Sequence, residues 1–210
     1  MTDTAQVVAP TTRPGRNRAG TEERLIVAAA ELLAEIGPRT VSVRAIAERA
    51  GVNHGLVHHY FGGKEALLRA GMARLVGDHA ERVRAGAHGG PMPAALGLVD
   101  DPAYLRAVVR AVLDDEMDLA RTELDLGVSV PRAALDHVTA ARGLSEPDVE
   151  TKAYFGLAMA LEMGWAALEP FIHEVTGTNS ESEKDELRRA ARAVQRDLQR
   201  TWSGKVQERA

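Results

Sequence analysis

Residues 40–65 read TVSVRAIAERAGVNHGLVHHYFGGKE, and no other stretch constrains the chain as tightly. Val43 to Ala50 has the spacing of a short amphipathic helix, and Gly51 stops it. Ile46 and Ala47 supply the inner face, while Ala50 stands where a neighbouring helix must come close. Gly51 permits the positive φ that a tight corner requires and that most residues resist. Val52 packs that corner, and Asn53 is placed to cap a second short helix from His54 to Phe61. Two short helices joined this way form a helix-turn-helix, a layout whose second helix fits the major groove of DNA.

The rest of the chain is punctuated by helix boundaries. An opening helix spans Glu22 to Ile36, with Leu25, Ala29, Leu32, Leu33 and Ile36 on one face. Thr21 is placed to cap it, and Gly37-Pro38 ends it. A fourth helix starts near Gly63-Lys64 and continues through Leu67, Leu68, Leu75 and Val76 towards Ala87. His88-Gly89-Gly90-Pro91-Met92-Pro93 is the clearest break. Asp101-Pro102 opens a helix that runs to about Arg121. Pro131 opens another, ending at Gly143. Ser145-Glu146-Pro147-Asp148 starts a long helix to about Val175, closed by Gly177, and the last runs from Ser182 to Trp202. No stretch sustains period-two alternation. The expectation is an all-α chain of about nine helices: a basic tail over 1–20, a three-helix DNA-binding domain over 21–66, and a helical effector-binding and dimerisation domain over 67–210. Arg13, Arg16 and Arg18 in the tail fit either a disordered terminus or a basic arm that reaches DNA.

Composition narrows the function classes. Cysteine is absent, which excludes a disulfide framework, a thiol nucleophile and a Cys-based zinc site. The first 15 residues have no apolar run of the signal-peptide kind. No segment offers about 18 consecutive apolar residues. The expectation is therefore a soluble cytoplasmic protein with no membrane span. The net charge of −4 is unevenly spread. Residues 1–74 hold 10 basic and 7 acidic side chains, and the remainder hold 16 and 23. A basic head on an acidic body suits a DNA reader whose second domain does something else.

The pattern of Thr40, Ile46-Ala47, Ala50-Gly51-Val52, Gly55, His58-His59-Tyr60-Phe61 and Lys64-Glu65 resembles the DNA-binding domain of the TetR family of bacterial repressors. The similarity begins with the helix from Thr21 to Gly37 and covers roughly a quarter of the chain. It implies a repressor that binds a palindromic operator as a homodimer and is released by a small-molecule effector. Arg44 matches a family position that often reads a guanine, and Tyr60 one that contacts phosphate. His58 departs from the family's usual Tyr, although an imidazole can also donate to a phosphate.

The residues themselves support parts of that picture. A bidentate Arg44 suits guanine O6 and N7. His54, His58 and His59 can donate to phosphates or base acceptors, and Lys64 sits at a helix start suited to phosphate. Gly55 allows close backbone approach, Leu56 can touch a thymine methyl, and Asn53 and Tyr60 complete the expected DNA face. Phe61 reads as core. His54 and His58 are four apart, as zinc ligands can be, but no third ligand accompanies them. Gly62-Gly63-Lys64 fails as a phosphate loop, because His58 stands where a Gly is needed and Glu65 where Ser or Thr is needed. Asp114-Asp115-Glu116-Asp118 reads as a solvated face. No pattern calls for a cofactor or a metal, and no nucleophile is paired with a base.

The long helix from Asp148 holds the densest aromatic and methionine stretch. Tyr154, Met159 and Met163, with Tyr104 and Met117, are expected to line an effector pocket, since pliable methionines suit adaptable cavities. Glu162, if it faces inward, needs a partner, and a cationic ligand is one candidate. Trp165, with Leu187, Ala191, Val194, Leu198 and Trp202 on the terminal helix, forms apolar surface expected at a homodimer interface. The competing readings are an enzyme, for which no catalytic constellation is present, and a helical DNA-binding architectural protein without an effector.

Overall fold

The computed structural model describes residues 14–86 and 93–207, with side chains over 18–86 and 93–198. Ten α-helices and one 3-10 turn make up the described residues, and no strand occurs among them. Helix α1 is Pro14–Thr40, α2 Val43–Ala50, α3 Gly55–Phe61 and α4 Lys64–Gly86. The 3-10 turn, Gly97–Asp100, leads into α5, Pro102–Leu113. Two single turns follow, α6 Met117–Ala120 and α7 Thr122–Asp125, then α8 Val130–Ala141. Helices α9, Val149–Thr176, and α10, Glu181–Gln207, complete the chain.

Several boundaries differ from the sequence reading: α10 runs on to Gln207, past the expected end at Trp202, and α1 resumes after a non-helical Gly37 (φ 76°, ψ 163°), where its end was expected, to reach Thr40. Helix α1 starts at Pro14, so Thr21 is a buried interior residue and not the cap. Arg18 pairs with Glu22 one turn on, at 2.8 Å, which favours helix across the expected start. Arg13 lies outside the described residues, as does the side chain of Arg16. The helix expected to reach Arg121 ends at Leu113, because Asp115 takes a left-handed φ of 61°. Asp114, Asp115 and Glu116 crowd the negative end of the helix dipole there, which disfavours continuation. The break expected over His88 to Pro93 also falls outside the described residues, apart from the non-helical Pro93.

Helix α1 organises the core by packing against α2, α4 and α5. Leu25, Leu33, Ile46, Val57, Leu67 and Met72 are fully buried in one cluster that extends to Ala107 and Ala111 of α5. The head and the first layer of the body therefore share a single core. The contact between α1 and α4 is close because Gly71 faces Ala29 and Ala30. A methyl group on Gly71 would sit 2.9 Å from the Ala30 nitrogen and 3.0 Å from the Ala29 methyl.

Helix α9 is long and apolar enough, by length and composition alone, to cross a membrane, although its sequence has no unbroken apolar run. Its Glu162 and Glu169 carboxylates are bound to protein groups, which ties one face of this helix to the body.

Replacing Gly71 with Ala should force α1 and α4 apart and lower stability by roughly 1–3 kcal/mol. Gly77→Ala on the same helix meets no atom within 4 Å, so it should leave stability unchanged or raise it by up to about 1 kcal/mol. Urea denaturation of both variants checks the contrast.

Candidate nucleic-acid interface and interior cavity

Local chemistry sets the angle of the helix-turn-helix. Ser42 caps α2 by accepting the Ala45 N–H at 3.1 Å, a role that the sequence reading did not assign. Gly51 closes α2 with φ 64° and ψ 39°, and the Val52 N–H donates back to Ala47 O at 2.9 Å. Asn53 accepts the Gly55 N–H at 2.8 Å, so it holds the start of α3 from one position before the formal cap, His54. Val57 is fully buried and pins α3 to the core, with Phe61 packed against the same cluster.

With Val57 inward, the opposite surface of α3 faces solvent. Asn53, His54, Gly55, His58 and His59 are exposed there, as is Arg44 on α2. Leu56, Tyr60 and Lys64 are half-buried at its margin. The Tyr60 ring lies 4.9 Å from His59, and the Arg18 guanidinium sits over it at 5.4 Å. Arg18, read from the sequence as tail, thus belongs to the helical head beside the α3 surface. Behind this surface Arg49 pairs with Glu31 and Glu35 of α1 at 3.1 and 2.8 Å, tying α2 to its support.

The body holds a cavity of about 280 Å³. One wall is the second half of α4, from His79, Arg82, Val83 and Gly86. The others come from the 93–101 segment, Tyr104 on α5, Val130, Pro131 and Ala134 on α8, and Phe155, Ala158, Met159, Glu162 and Met163 on α9. Gln195 of α10 completes the lining. Of the residues expected to line a pocket, Tyr104, Met159, Glu162 and Met163 do so. Met117 is instead an exposed residue of the separate turn α6, and Tyr154 also lies outside the lining. Met117 is displaced because α5 stops four residues before it. Tyr154, half-buried on α9, is not among the lining residues although the next residue, Phe155, is.

Polar side chains on the cavity wall are held by one another. His79 Nδ1 lies 2.8 Å from Asp101, and its ring stacks on Tyr104 with centroids 3.9 Å apart. Arg82 donates to the same Asp101 oxygen at 2.5 Å. Burial raises the Asp101 pKa, but the hydrogen bonds from His79 and Arg82 outweigh it and hold the carboxyl below its usual range. Such a carboxylate fixes the proton on His79 Nδ1. Tyr104 donates to Glu123 at 2.5 Å, and burial together with that carboxylate pushes its hydroxyl far above the ordinary range. Glu162 accepts the backbone N–H groups of Leu96 and Leu98 at 2.8 and 3.0 Å, and the Gln195 amide at 2.9 Å. The inward Glu162 is therefore partnered by the protein itself, without a cationic ligand. None of this network was legible as spacing: His79 and Asp101 are 22 residues apart, Glu162 and Gln195 33.

The terminal helices show a third surface. Trp165 is half-buried with its indole N–H on Glu169 at 3.3 Å, and Leu187 and Ala191 are half-buried. Val194 and Leu198 are more than half exposed, as are Leu157, Leu168, Phe171 and Val175 on α9. The side chain of Trp202 lies outside those described.

A helix-turn-helix head on an α-helical body is the build of a one-chain DNA-binding regulator. Residues 25–70 match the family model for bacterial regulatory proteins of the tetR family. The chain is 32% identical over 191 residues to the HTH-type transcriptional repressor Rv3405c of Mycobacterium tuberculosis, covering 85% of this chain and 92% of that protein. It is 37% identical over 93 residues to the HTH-type transcriptional regulator BetI of Yersinia pestis, covering 44% of each. Its fold is similar to that of a tetR-family transcriptional regulator from Streptomyces coelicolor, with a TM-score of 0.57 and 21% identity over 91% of this chain and 88% of that one. The chain belongs to the TetR family of helix-turn-helix transcriptional regulators.

The Asp101 network has a testable pH signature. A carboxyl whose pKa is lowered by folding adds stability above its unfolded value, near 3.9, and loses it as pH falls through the folded value. The melting temperature should therefore drop on acidification below about pH 4. Asp101→Asn should melt lower at neutral pH and show a shallower acid limb than the wild type.

Proposed function

We propose that this chain is a repressor that binds a palindromic operator as a homodimer and lets go when a small molecule fills the body cavity. The observation that carries the reading is the double role of α4. Its first half packs in the core of the DNA-binding head, through Leu67, Leu68 and Met72. Its second half supplies His79, Arg82 and Val83 to the cavity wall. A ligand that displaces this wall moves the head with it. Release follows only if the ligand binds the DNA-incompetent arrangement better, since equal affinity for both shifts nothing. The cavity favours this reading over an architectural protein without an effector.

In the proposed complex α3 enters the major groove. Arg44 reads a base, while Lys64, Tyr60 and the histidines meet phosphates, and Asn53, Gly55 and Leu56 lie along the groove. The exposed apolar residues of α9 and α10 are then covered by the same helices of a second copy. That pairing sets two α3 helices on half-sites roughly 34–36 Å apart. A bilayer is the other cover for an apolar helix face. The relation to transcriptional regulators favours the second copy, and with it a place in the cytoplasm beside the chromosome.

Arg44→Ala should relax specificity at one base pair per half-site, costing roughly 1–3 kcal/mol there. Lys64→Ala should weaken binding to all sequences alike and flatten the salt dependence. Fluorescence anisotropy across operator variants separates the two, and equal behaviour would show the roles to be misassigned.

Sedimentation at micromolar concentration should give a dimer, and a stable monomer would remove the palindromic model. Lipophilic compounds that release operator DNA from the wild type should fail on Met159→Trp, whose indole occupies cavity space. Release from both alike would put the effector elsewhere.

A further inference from the structure

The early start of α1 brings a charge to the DNA-facing side of the head. Helix α1 begins at Pro14, roughly two turns before Glu22 and ahead of residues 25–70, the stretch with the family match. From that extension Arg18 reaches α3, with its guanidinium 5.4 Å from the centre of the Tyr60 ring. Tyr60 stands at the margin of the outward face of α3, and its ring lies 4.9 Å from His59. Helix α3 itself, GLVHHYF, contains no Lys or Arg. The extension therefore supplies a permanent cation to a surface whose own helix has only histidines to charge.

Two contacts orient Arg18. Glu22, one turn on, accepts from Nε at 2.8 Å, and the Tyr60 ring attracts the cation. Glu22 occupies Nε alone, so both Nη groups are left without an acceptor among the described residues. The side chain is 61% exposed. An exposed pair one helical turn apart adds little to stability, so the needs of the fold do not account for the arrangement. A guanidinium fork with its Nη donors unused matches the oxygens of a phosphate.

We infer that Arg18 is a DNA-contacting residue, supplied by α1 and seated on Tyr60, that donates to a backbone phosphate beside the groove α3 enters. This rests on the operator-binding reading above and adds a contact from outside the helix-turn-helix. Tyr60 then has two roles, as a contact and as the seat of a neighbouring cation.

The full-length protein tests it on a duplex that the wild type recovers from a random-sequence pool, by anisotropy titrations across a series of salt concentrations. Each phosphate contact contributes roughly 0.9 to the slope of log K against log salt. Arg18→Gln should flatten that slope by about 0.9 and, at about 0.1 M salt, weaken binding roughly eightfold. Arg18→Lys keeps the charge and should restore the slope. Glu22→Gln breaks the pair but leaves the cation, so its slope should be at least as steep as that of the wild type. Arg106→Gln, at an exposed position of α5, should change nothing.

Wild-type affinity and slope in Arg18→Gln overturn the inference. So does an equal loss in Glu22→Gln, which would show that the pair only holds α1 in place. Failure of Arg18→Gln to fold, read by circular dichroism, counts against it in the same way. If Arg18→Gln binds like the wild type while Lys64→Ala flattens the slope, the operator reading stands without this contact. A wild type that recovers no duplex removes both.

Discussion

The close approach of α1 and α4 at Gly71 is the constraint on which the molecule depends. Without a side chain there, the two helices meet backbone to backbone, and Leu25, Leu33, Leu67 and Met72 close into one core. That core reaches Val57 in the head and Ala107 in the body. Helix α4 is consequently one rigid element with its two ends in different surroundings. Loss of the contact would unseat α3 and open the cavity wall together, because both are set by the position of one helix.

Hydrogen bonds then decide how the cavity is finished. Asp101 caps α5 and also takes His79 and Arg82 of α4, so a helix start and a tertiary clasp share one carboxylate. Glu162 does the same across the cavity, holding the backbone of Leu96 and Leu98 to α9. Leu96 is kept there with a left-handed φ of 55°, a conformation that a leucine does not adopt unaided. These two carboxylates anchor the cavity rim to α4 on one side and α9 on the other. Charge that looks like a ligand partner in one dimension is structural in three.

Helix boundaries show how unevenly the two kinds of information are distributed. Gly51, Gly143, Gly177, Asp101 and Asp148 act as read from sequence, because a cap or a left-handed stop involves only neighbours. Thr21 and Asp115 do not. The extension of α1 to Pro14 places Arg18 against Glu22 and over the Tyr60 ring, and the second of these contacts comes from another helix. The stop at Leu113 turns on a left-handed Asp115 in an acidic run that the sequence reading took for a solvated helix face.

What the sequence determined by itself is the helix-turn-helix: α2, its Gly51 corner and the outward histidines of α3 follow from residues within about 25 positions of one another. The all-α class and most helix ends were legible for the same reason. Which side chains meet inside the body was decided only by tertiary structure. A helical period places Met159, Glu162 and Met163 near one another on α9, but it cannot say that His79, Asp101 and Gln195 stand opposite. Nor can it say that Glu162 is already satisfied by two backbone amides and an amide 33 residues away. Local chemistry is written in adjacent residues, whereas the occupancy of a lone pair depends on what the packing of distant helices brings to it.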